Sequence, residues 1–348
     1  MKMGRFVVDG HVHSQRHAAG PELKKRLADK SAGRKKLKYS ELVQVMPQIE
    51  AYDNSERLLY DMNCYCVDMC ILMASYGMTN EQNLALVEKY PDRFAALCIP
   101  TGGYSVEKYG KEEWTMEAAC NELDRLLSTG KFCGIGEGFP CDPKVFYRKK
   151  RISRTDRIDE LMQVMEVARK HEVPVHYHTG FAMGYHLGIP EALEPLWAHE
   201  LASNFPDVDI IFDHGGMACW WWEHLVDQCL HVAASHDNVY LETGLYWTDL
   251  YYKPLLDPNI GAEKLLWGTD WGASIPVYSQ PGHKPPTYAM QLIKEGLVTH
   301  QVDLFGWSLR QMRRLDITQD DLNLILGGNA ARLYKLKFPL TRMFKAVE

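Results

Sequence analysis

The sequence has no long apolar segment and no basic leader at its start. No apolar run approaches the ~20 residues that a helix needs to cross a bilayer. The opening segment MKMGRFVVDG passes directly into a strand-like run and contains no cleavage site. We therefore expect no membrane span, no secretory signal and a cytoplasmic location.

The sequence also has no excess of basic residues. It contains 39 Lys and Arg against 45 Asp and Glu, which gives a formal net charge of −6 at pH 7. Proteins that bind a nucleic acid backbone or an anionic membrane surface usually present a cationic face. The composition thus predicts neither partner and favours a small-molecule substrate.

Paired cysteine motifs are missing as well, although the chain has 9 cysteines. Cys64, Cys66 and Cys70 form a C-x-C-x3-C cluster, but it lacks the CxxC spacing of a zinc site and no second pair follows. Most of the cysteines lie within apolar runs, as reduced core thiols do. These are Cys70, Cys98, Cys133, Cys219 and Cys229.

Motifs of several common enzyme classes are lacking too. There is no Gly-rich phosphate loop, no dinucleotide fingerprint and no serine elbow. No internal repeat or low-complexity linker divides the chain. Its 348 residues, of which 46% are hydrophobic, suffice for one large core. We predict a single domain over residues 1–348.

The regular feature of the chain is an alternation of β-branched runs with amphipathic, helix-length segments. This alternation predicts an α/β fold with a parallel sheet, and eight such runs predict closure into a (β/α)8 TIM barrel. The predicted strands cover residues 5–9, 67–73, 94–99, 132–136, 173–177, 208–212, 239–242 and 264–268. The predicted helices include residues 80–90, 116–129, 156–172, 192–205 and 221–235.

Two segments depart from a plain barrel. Residues 14–55, after strand 1, form an insertion longer than a normal connection between a strand and a helix. We expect this insertion to act as a lid or as a contact between subunits. After strand 8 a Gly/Pro-rich loop over residues 272–286 precedes C-terminal closing helices.

Polar residues able to bind a metal stand where predicted strands end. Strand 1 ends in His11-Val12-His13, whose spacing puts both imidazoles on one side of an extended chain. Alone, such a pair is more often solvent-facing or hydrogen-bonded. Strand 5 ends in His176-Tyr177-His178, strand 6 in Asp213-His214 and strand 8 in Asp270. His178 lies nearer the C-terminal edge than His176.

The carboxyl ends of strands in a closed barrel surround a common pit, so these residues become neighbours. Imidazole and carboxylate without thiolate suit Zn²⁺, Mn²⁺, Fe²⁺ or Co²⁺, and zinc is the usual ion for three His and one carboxylate. We therefore predict one divalent metal ion, zinc by default, with manganese, iron and cobalt as alternatives.

Together these motifs resemble the metal-dependent amidohydrolase superfamily, in the branch of aminocarboxymuconate-semialdehyde decarboxylase and related aromatic-acid decarboxylases. The resemblance covers nearly the whole chain. It is carried by Asp9-x-His11-x-His13, His178-x-Gly180, His214-Gly215-Gly216, Gly268-Thr269-Asp270 and Gly328-Asn329-Ala330-Ala331-Arg332-Leu333. The resemblance implies a mononuclear site. Its implied ligands are His11, His13, His178 and Asp270, with His214 as an unliganded acid or base.

Strand 4 carries one departure from that branch. Hydrolytic branches of the superfamily often bridge two metals through a carboxylated lysine on strand 4, and this strand ends in Gly136-Glu137-Gly138 without a lysine. The missing lysine favours one ion. Glu137, however, resembles the strand-4 metal ligand of two-metal phosphodiesterase-like relatives. Both a ligand role and a hydrogen-bonding role at the rim are open for Glu137.

The resemblance implies a non-oxidative decarboxylase of an aromatic or muconate-like carboxylic acid, as used in the catabolism of aromatic compounds. His214 would deliver the proton to carbon. The same parts also suit a hydrolase of an amide, ester or lactone, in which Asp270 or His214 takes a proton from water. Hydration of a double bond is a third use. The resemblance and the insertion together imply a homodimer or a higher homo-oligomer.

Residues near the strand ends are candidates for binding the substrate. Tyr185, Trp220 and Trp271 predict a flat, aromatic or conjugated substrate, although such rings also seal helix tops. Arg16 and Arg57, in or beside the insertion, are the candidates for binding a substrate carboxylate. Glu137 is a further candidate, whereas nothing in the spacing of Glu242 requires a role for it.

Overall fold

The computed structural model describes residues 2–4, 6–19, 49–53, 55–74, 79–100, 115–138, 153–180, 194–217, 222–271, 304–337 and 345–347. The strands are β1 (Lys2–Gly4), β2 (Val8–Val12), β3 (Gln15–Ala19), β4 (Ile49–Asp53), β5 (Met69–Leu72), β6 (Phe94–Ala96), β7 (Ile135–Gly138), β8 (Val175–His178), β9 (Ile210–Asp213), β10 (Val239–Glu242), β11 (Leu265–Leu266) and β12 (Lys345–Val347).

Helices follow most of the parallel strands. They are α1 (Ser55–Tyr65), α2 (Asn80–Lys89), α3 (Met116–Leu127), α4 (Arg154–His171), α5 (Ala198–Asn204), α6 (Trp222–Ser235), α7 (Thr248–Leu256), α8 (Leu304–Arg313), α9 (Gln319–Asn323) and α10 (Asn329–Leu333). Short 3₁₀ turns cover Pro195–Trp197, His214–Gly216 and Ala262–Lys264, and a π turn covers Leu324–Gly328. None of the described helices is long and apolar enough to cross a membrane.

Eight parallel strands form the centre of the fold. Five of them form one sheet in the order β11-β10-β9-β8-β7, and three form another in the order β2-β5-β6. A parallel bridge between Cys98 and Ile135 joins the β6 and β7 edges, and one between Val12 and Trp271 joins the β2 and β11 edges. This strand order, with a bridge at each seam, is that of a (β/α)8 barrel, so the predicted fold class is confirmed.

Four of the observed strands extend further toward their carboxyl ends than the sequence predicts, whereas β5, β6 and β11 end one to three residues earlier than predicted. The prediction for residues 239–242 is correct, but β2, β7, β8 and β9 each end one to three residues later than expected. The reason is that the polar residues at these ends still pair with the neighbouring strand, as His178 pairs with Asp213. Polarity therefore marks the site here and not the end of the strand.

Alternate residues of each strand face opposite layers of the core. In β9 the side chains of Ile210 and Phe212 pack in the cluster that joins strands to helices, whereas Ile211 lies in the smaller cluster inside the barrel. In β8, Val175 and Tyr177 pack outward. His176 and His178 consequently face the barrel interior, as their spacing predicts.

The helices begin and end at the expected signals. Thr79 and Gln82 form a capping box at the start of α2, and the Ser153 hydroxyl accepts a hydrogen bond at the start of α4. One prediction is partly wrong: the segment predicted as a single helix over 192–205 contains Pro195 and is not one continuous α-helix. This proline starts the 3₁₀ turn Pro195–Trp197, from which α5 continues.

The insertion after strand 1 is bounded by an antiparallel pair, β3 with β4, in which Gln15 lies opposite Asp53. Residues 20–48 lie outside the described residues, so the lid or subunit contact stays a prediction. The Gly/Pro-rich loop at 272–286 lies outside them too. Helices α8, α9 and α10 are the predicted closing helices, and β1 pairs with β12 beside them.

Candidate metal centre

Two imidazoles from the end of β2 present their Nε2 atoms to each other. His13 Nδ1 lies 3.2 Å from the Met73 carbonyl oxygen, and His11 Nδ1 lies 3.1 Å from Glu242 Oε2. Since a carbonyl and a carboxylate only accept hydrogen bonds, both Nδ1 atoms carry the proton. The two Nε2 atoms are 3.1 Å apart. In the neutral rings both point lone pairs into the same space.

The carboxylates around this space favour a positive charge in it. Burial opposes charging His11, but the carboxylates of Asp213, Glu137 and Glu242 outweigh it and hold the pKa of His11 well above its ordinary value. Donors that share an ion at about 2.1 Å and at angles of roughly 90–120° lie about 3.0–3.6 Å apart. The separation of the two Nε2 atoms fits a shared metal ion.

Asp270 brings a carboxylate to the same point. It follows β11 with a φ of 54°, a left-handed conformation that Asp tolerates better than most residues. Its Oδ1 lies 3.4 Å from His13 Nε2 and 3.7 Å from His11 Nε2. Burial opposes ionisation, but the hydrogen bond with His13 and the nearby imidazoles lower the pKa of Asp270. Asp270 is therefore an anionic donor.

Glu137, at the end of β7, lies inside the cluster and not at its rim. Its Oε2 is 3.7 Å from the Nε2 atoms of both His11 and His13. Its Oε1 forms a short hydrogen bond with His178 Nδ1 and lies 3.7 Å from His214 Nε2. Burial opposes ionisation, but His178 and His11 hold the pKa of Glu137 well below its ordinary value.

His214 lies against these groups, with its ring centroid 4.8 Å from those of His11 and His178. Its backbone N–H donates to Glu242 Oε2 at 2.9 Å, while its Nδ1 is buried without a hydrogen-bond partner among the described residues. Burial opposes protonation, but the contact with Glu137 and the charges of Asp270 and Glu242 raise the pKa of His214 overall.

Within the described residues, three buried groups have the composition and spacing to hold an ion, and all three contain His11. They are His11 with His13 and Asp270, His11 with Glu137 and His214, and His11 with Asp213 and Glu242. The third group surrounds the protonated Nδ1 side of the ring. The first two converge on the Nε2 side and are the candidates for a metal.

The charge balance of this region supports a cation. Five carboxylates are buried around His11, and among the described residues none of the five forms an ion pair with Lys or Arg. They are Asp9, Glu137, Asp213, Glu242 and Asp270. Buried charge is costly unless it is paired or bound to a metal. A divalent ion, beside the protonated imidazoles, would balance these carboxylates.

Two carboxylates that the sequence left without a role hold the cluster in place. Glu242 accepts from both His11 and His214, and its carboxylate fits only because residue 268 is glycine. A Cβ atom at Gly268 would lie 2.0 Å from Glu242 Oε1. Asp9 Oδ1 accepts hydrogen bonds from the backbone N–H groups of His11 at 3.0 Å and of Thr269 at 3.1 Å. Burial raises the pKa of Asp9 to about 7.

Besides Glu137, two of the candidates for binding substrate, Arg57 and Trp271, fall within the described residues, and both contact Asp61. Arg57 Nε donates to Asp61 Oδ1 at 2.6 Å, and Trp271 Nε1 donates to Asp61 Oδ2 at 3.2 Å. Trp271 is 1% exposed, and its carbonyl accepts the His13 N–H at 2.7 Å. This chain of contacts fixes the backbone of His13 against Trp271. The Arg16 side chain, Tyr185 and Trp220 lie outside the described residues.

His176 lies deeper than His178, as predicted. Its Nδ1 is 2.6 Å from Asp213 Oδ1, and its Nε2 is 2.5 Å from the Tyr334 hydroxyl. Both ring nitrogens are therefore engaged inside the barrel. His176 has no place in the donor groups around the Nε2 side of His11.

Comparison with known proteins agrees with the fold. A family model described as amidohydrolase matches residues 71–336. A 5-carboxyvanillate decarboxylase from Sphingomonas paucimobilis is similar in structure, with a TM-score of 0.53, 13% identity and coverage of 96% of this chain and 100% of that one. A search of the curated proteins finds no match.

Two further solved structures are similar over most of their length. A 4-oxalomesaconate hydratase from Rhodopseudomonas palustris gives a TM-score of 0.55 at 17% identity and covers 95% of this chain and 96% of that one. A 5-carboxyvanillate decarboxylase from Novosphingobium aromaticivorans, complexed with manganese and 4-hydroxy-3-methoxy-5-nitrobenzoic acid, gives 0.54 at 13% identity and covers 96% and 97%. At such identities the likeness shows the fold alone.

Proposed function

Because the chain belongs to the amidohydrolase family, we propose that it is a metal-dependent, non-oxidative decarboxylase of an aromatic or muconate-like carboxylic acid. The position of His214 carries this proposal. Its imidazole lies beside the donor group of His11, His13 and Asp270 without being a member of that group. A proton donor next to the metal ligands is what decarboxylation needs.

The proposed ligands of one divalent ion are His11, His13, His178 and Asp270. His11, His13 and Asp270 form one compact donor group, and His178 reaches the cluster from the inner face of β8 through Glu137. Zinc is the default for this ligand set, with manganese, iron or cobalt as alternatives. When bound, the ion would supply Lewis acidity and a template for the substrate carboxylate and an adjacent oxygen.

His214 is the proposed proton donor. Loss of carbon dioxide breaks the bond between the ring carbon and the carboxylate carbon and leaves the electron pair on the ring carbon. A proton from the His214 imidazole then forms the new carbon–hydrogen bond. Glu137 Oε1 lies 3.7 Å from the Nε2 atom of this buried imidazole, and Nδ1 has no hydrogen-bond partner within the described residues.

An aromatic acid substrate is supported by the similar structures, of which two are named 5-carboxyvanillate decarboxylases. We propose Arg16, Tyr185 and Trp220 as side chains that face the substrate. For Trp271 and Arg57 we propose a supporting role through Asp61, since Trp271 is buried and its carbonyl accepts the His13 N–H.

Hydrolysis of an amide, ester or lactone is the second candidate, and the position of Glu137 favours it. Glu137 lies among the imidazoles as a possible ligand, with one oxygen toward His11 and His13 and the other toward His178 and His214. Glu137 would help to hold a second ion, which would supply Lewis acidity for the activation of water. Hydration of a double bond is a related outcome, and a hydratase is among the similar structures.

The deciding experiment measures metal content by elemental analysis and carbon dioxide release from a panel of hydroxylated aromatic acids. One ion per chain with release of carbon dioxide is the expected result. Two ions in the wild type and one in Glu137→Gln, with hydrolysis of a lactone or ester panel instead, would establish the second candidate. Protein that binds no ion even after reconstitution would refute both.

A further inference from the structure

Three histidines form a cluster far from the candidate metal centre. His199 is at the start of α5, His231 is in the last turns of α6, and His236 lies in the turn before β10. The ring of His199 lies 5.2 Å from that of His231 and 5.0 Å from that of His236, measured between centroids. Glu242 ends β10 at the metal centre, whereas His236 precedes the amino end of that strand. The cluster is therefore at the opposite end of the barrel.

The His199 ring contacts the rings of both His231 and His236. His199 Nδ1 lies 2.7 Å from His236 Nε2, and none of the three forms an ion pair with an acidic side chain among the described residues. His199 and His236 are half-buried and His231 is exposed. A structural histidine is usually fixed by a carboxylate or a carbonyl, so this arrangement of imidazoles has another reason.

We propose that His199, His231 and His236 form a second metal site, which takes a borderline divalent transition ion such as Zn²⁺. His199 Nδ1 and His236 Nε2 already face each other, and an ion would replace the proton between them. Their separation would widen slightly, because two nitrogens on one zinc ion lie about 3.0–3.4 Å apart. His231, exposed on the neighbouring helix, supplies the third imidazole by a side-chain rotation, and water completes the shell.

The ion would tie together α5, the end of α6 and the turn into β10. These are three separate segments of the outer layer, so the effect expected is stabilisation of that layer and not a change in chemistry. The Lys264 ammonium group donates to the carbonyls of Ala233 and His236, so a positive charge that repels a cation lies beside the cluster. We therefore expect this site to bind zinc more weakly than the site at the barrel centre.

The test is equilibrium dialysis of the metal-loaded protein against zinc chloride, with bound zinc measured by elemental analysis. His199→Gln should bind one equivalent less than the wild type. His231→Gln should bind the outer zinc at least about tenfold more weakly, a loss seen even when a group that only orients a ligand is removed. His224→Gln is the matched control, because His224 is exposed on the same helix α6 and contacts Gln228.

Thermal melts establish that each variant is folded, and the exposed position of His231 makes His231→Gln the safer variant. Zinc bound elsewhere, at the barrel centre or at Cys64 and Cys66, is the same in all four proteins and cancels in the comparison. Anomalous diffraction at the zinc edge should show a peak between His199 and His236. Equal zinc binding by all four proteins, or zinc peaks confined to the barrel centre, would overturn the proposal.

Discussion

At the scale of single residues, Glu242 shows how one carboxylate organises several others. Its Oε2 accepts from His11 Nδ1 at 3.1 Å and from the His214 backbone at 2.9 Å. It thereby fixes which nitrogen of His11 carries the proton and where the chain turns after β9. The sequence did not predict this role, because His11 and Glu242 are 231 residues apart. A lone carboxylate at a strand end belongs to no spacing motif.

We expect Glu242→Gln to weaken metal binding without unfolding the protein. Glutamine has the same shape, and its single amide oxygen can still accept from His11 and from the His214 backbone. It lacks the negative charge, however, so it holds the proton on His11 Nδ1 less strongly and orients this ligand less well. The expected loss of affinity is about 10- to 100-fold, measured by competition with a chelator of known affinity. Glu223→Gln, at an exposed position of α6, is the control. Unchanged affinity in Glu242→Gln would show that His11 needs no such support.

Replacing His214 separates a proton donor from a ligand. His214→Asn should retain the metal content of the wild type and lower turnover by about 10²-fold or more. Asp270→Ala should lose metal as well as turnover, since its Oδ1 lies 3.4 Å from His13 Nε2. His224→Asn, on the surface, should change neither. Loss of the ion in His214→Asn would instead place His214 among the ligands, with His11 and Glu137.

The cysteines allow a test of burial residue by residue. Cys64 and Cys66 are exposed, whereas burial raises the pKa of Cys133 and of Cys229 to about 12. At pH 8 a thiol with such a pKa is ionised to about one part in ten thousand, and only the thiolate reacts. Iodoacetamide followed by peptide mapping should label Cys64 and Cys66 before Cys133 and Cys229. Equally fast labelling of Cys229 would contradict its buried position.

At the scale of the elements, the order of strands and helices followed from the sequence while their ends did not. Alternating apolar runs locate all eight barrel strands, since each strand needs an apolar face toward the helices. The polar ends were cut off because polarity normally marks a loop. In β8 and β9, however, His178 and Asp213 pair in the sheet and face the barrel interior. Burial of polar residues is a property of the site that local patterns do not carry.

Asp209, in the turn before β9, should make the stability of the fold depend on pH. Asp209, directly before β9, is partly buried, and burial raises its pKa although Arg332 and a hydrogen bond with Tyr240 oppose the rise. A raised pKa means that the folded protein binds this proton more tightly than the unfolded chain does. Its contribution to stability is therefore full below the unfolded pKa of about 3.9 and is lost as the pH rises through the folded pKa.

Asp209→Asn removes this pH dependence. The variant should be more stable than the wild type at neutral pH, where the wild-type carboxylate is charged, and should match it near pH 3.5, where the carboxyl group is protonated. Denaturant unfolding at the two pH values measures the difference. Asp207→Asn, at an exposed position two residues earlier, is the control and should show no such trend. A variant less stable than the wild type at neutral pH would mean that the Arg332 charge dominates.

At the scale of the whole molecule, the barrel explains why residues far apart in the sequence form one site. β2, β7, β8, β9, β10 and β11 all point their carboxyl ends at the same space, and each delivers between one and three polar side chains there. The sequence predicted this convergence for His11, His13, His178 and Asp270. It could not predict how closely Glu137 approaches the imidazoles, because that distance depends on the register of β7 against β8.

The concentration of buried carboxylates predicts that the fold itself depends on the metal. Removal of the ion leaves Glu137, Asp213, Glu242 and Asp270 with imidazoles as their nearest charged partners, so mutual repulsion destabilises the folded state. An ion present at 100 times its dissociation constant stabilises the native state by about 2.7 kcal/mol. Dialysis against a chelator should therefore lower the Tm by about 4 °C or more. Asp270→Asn lacks both a ligand and a buried charge, so its Tm should respond much less to the chelator. If elemental analysis shows complete removal of the ion and the wild-type Tm does not fall, the carboxylates are balanced by protonated imidazoles alone and the metal has no part in stability.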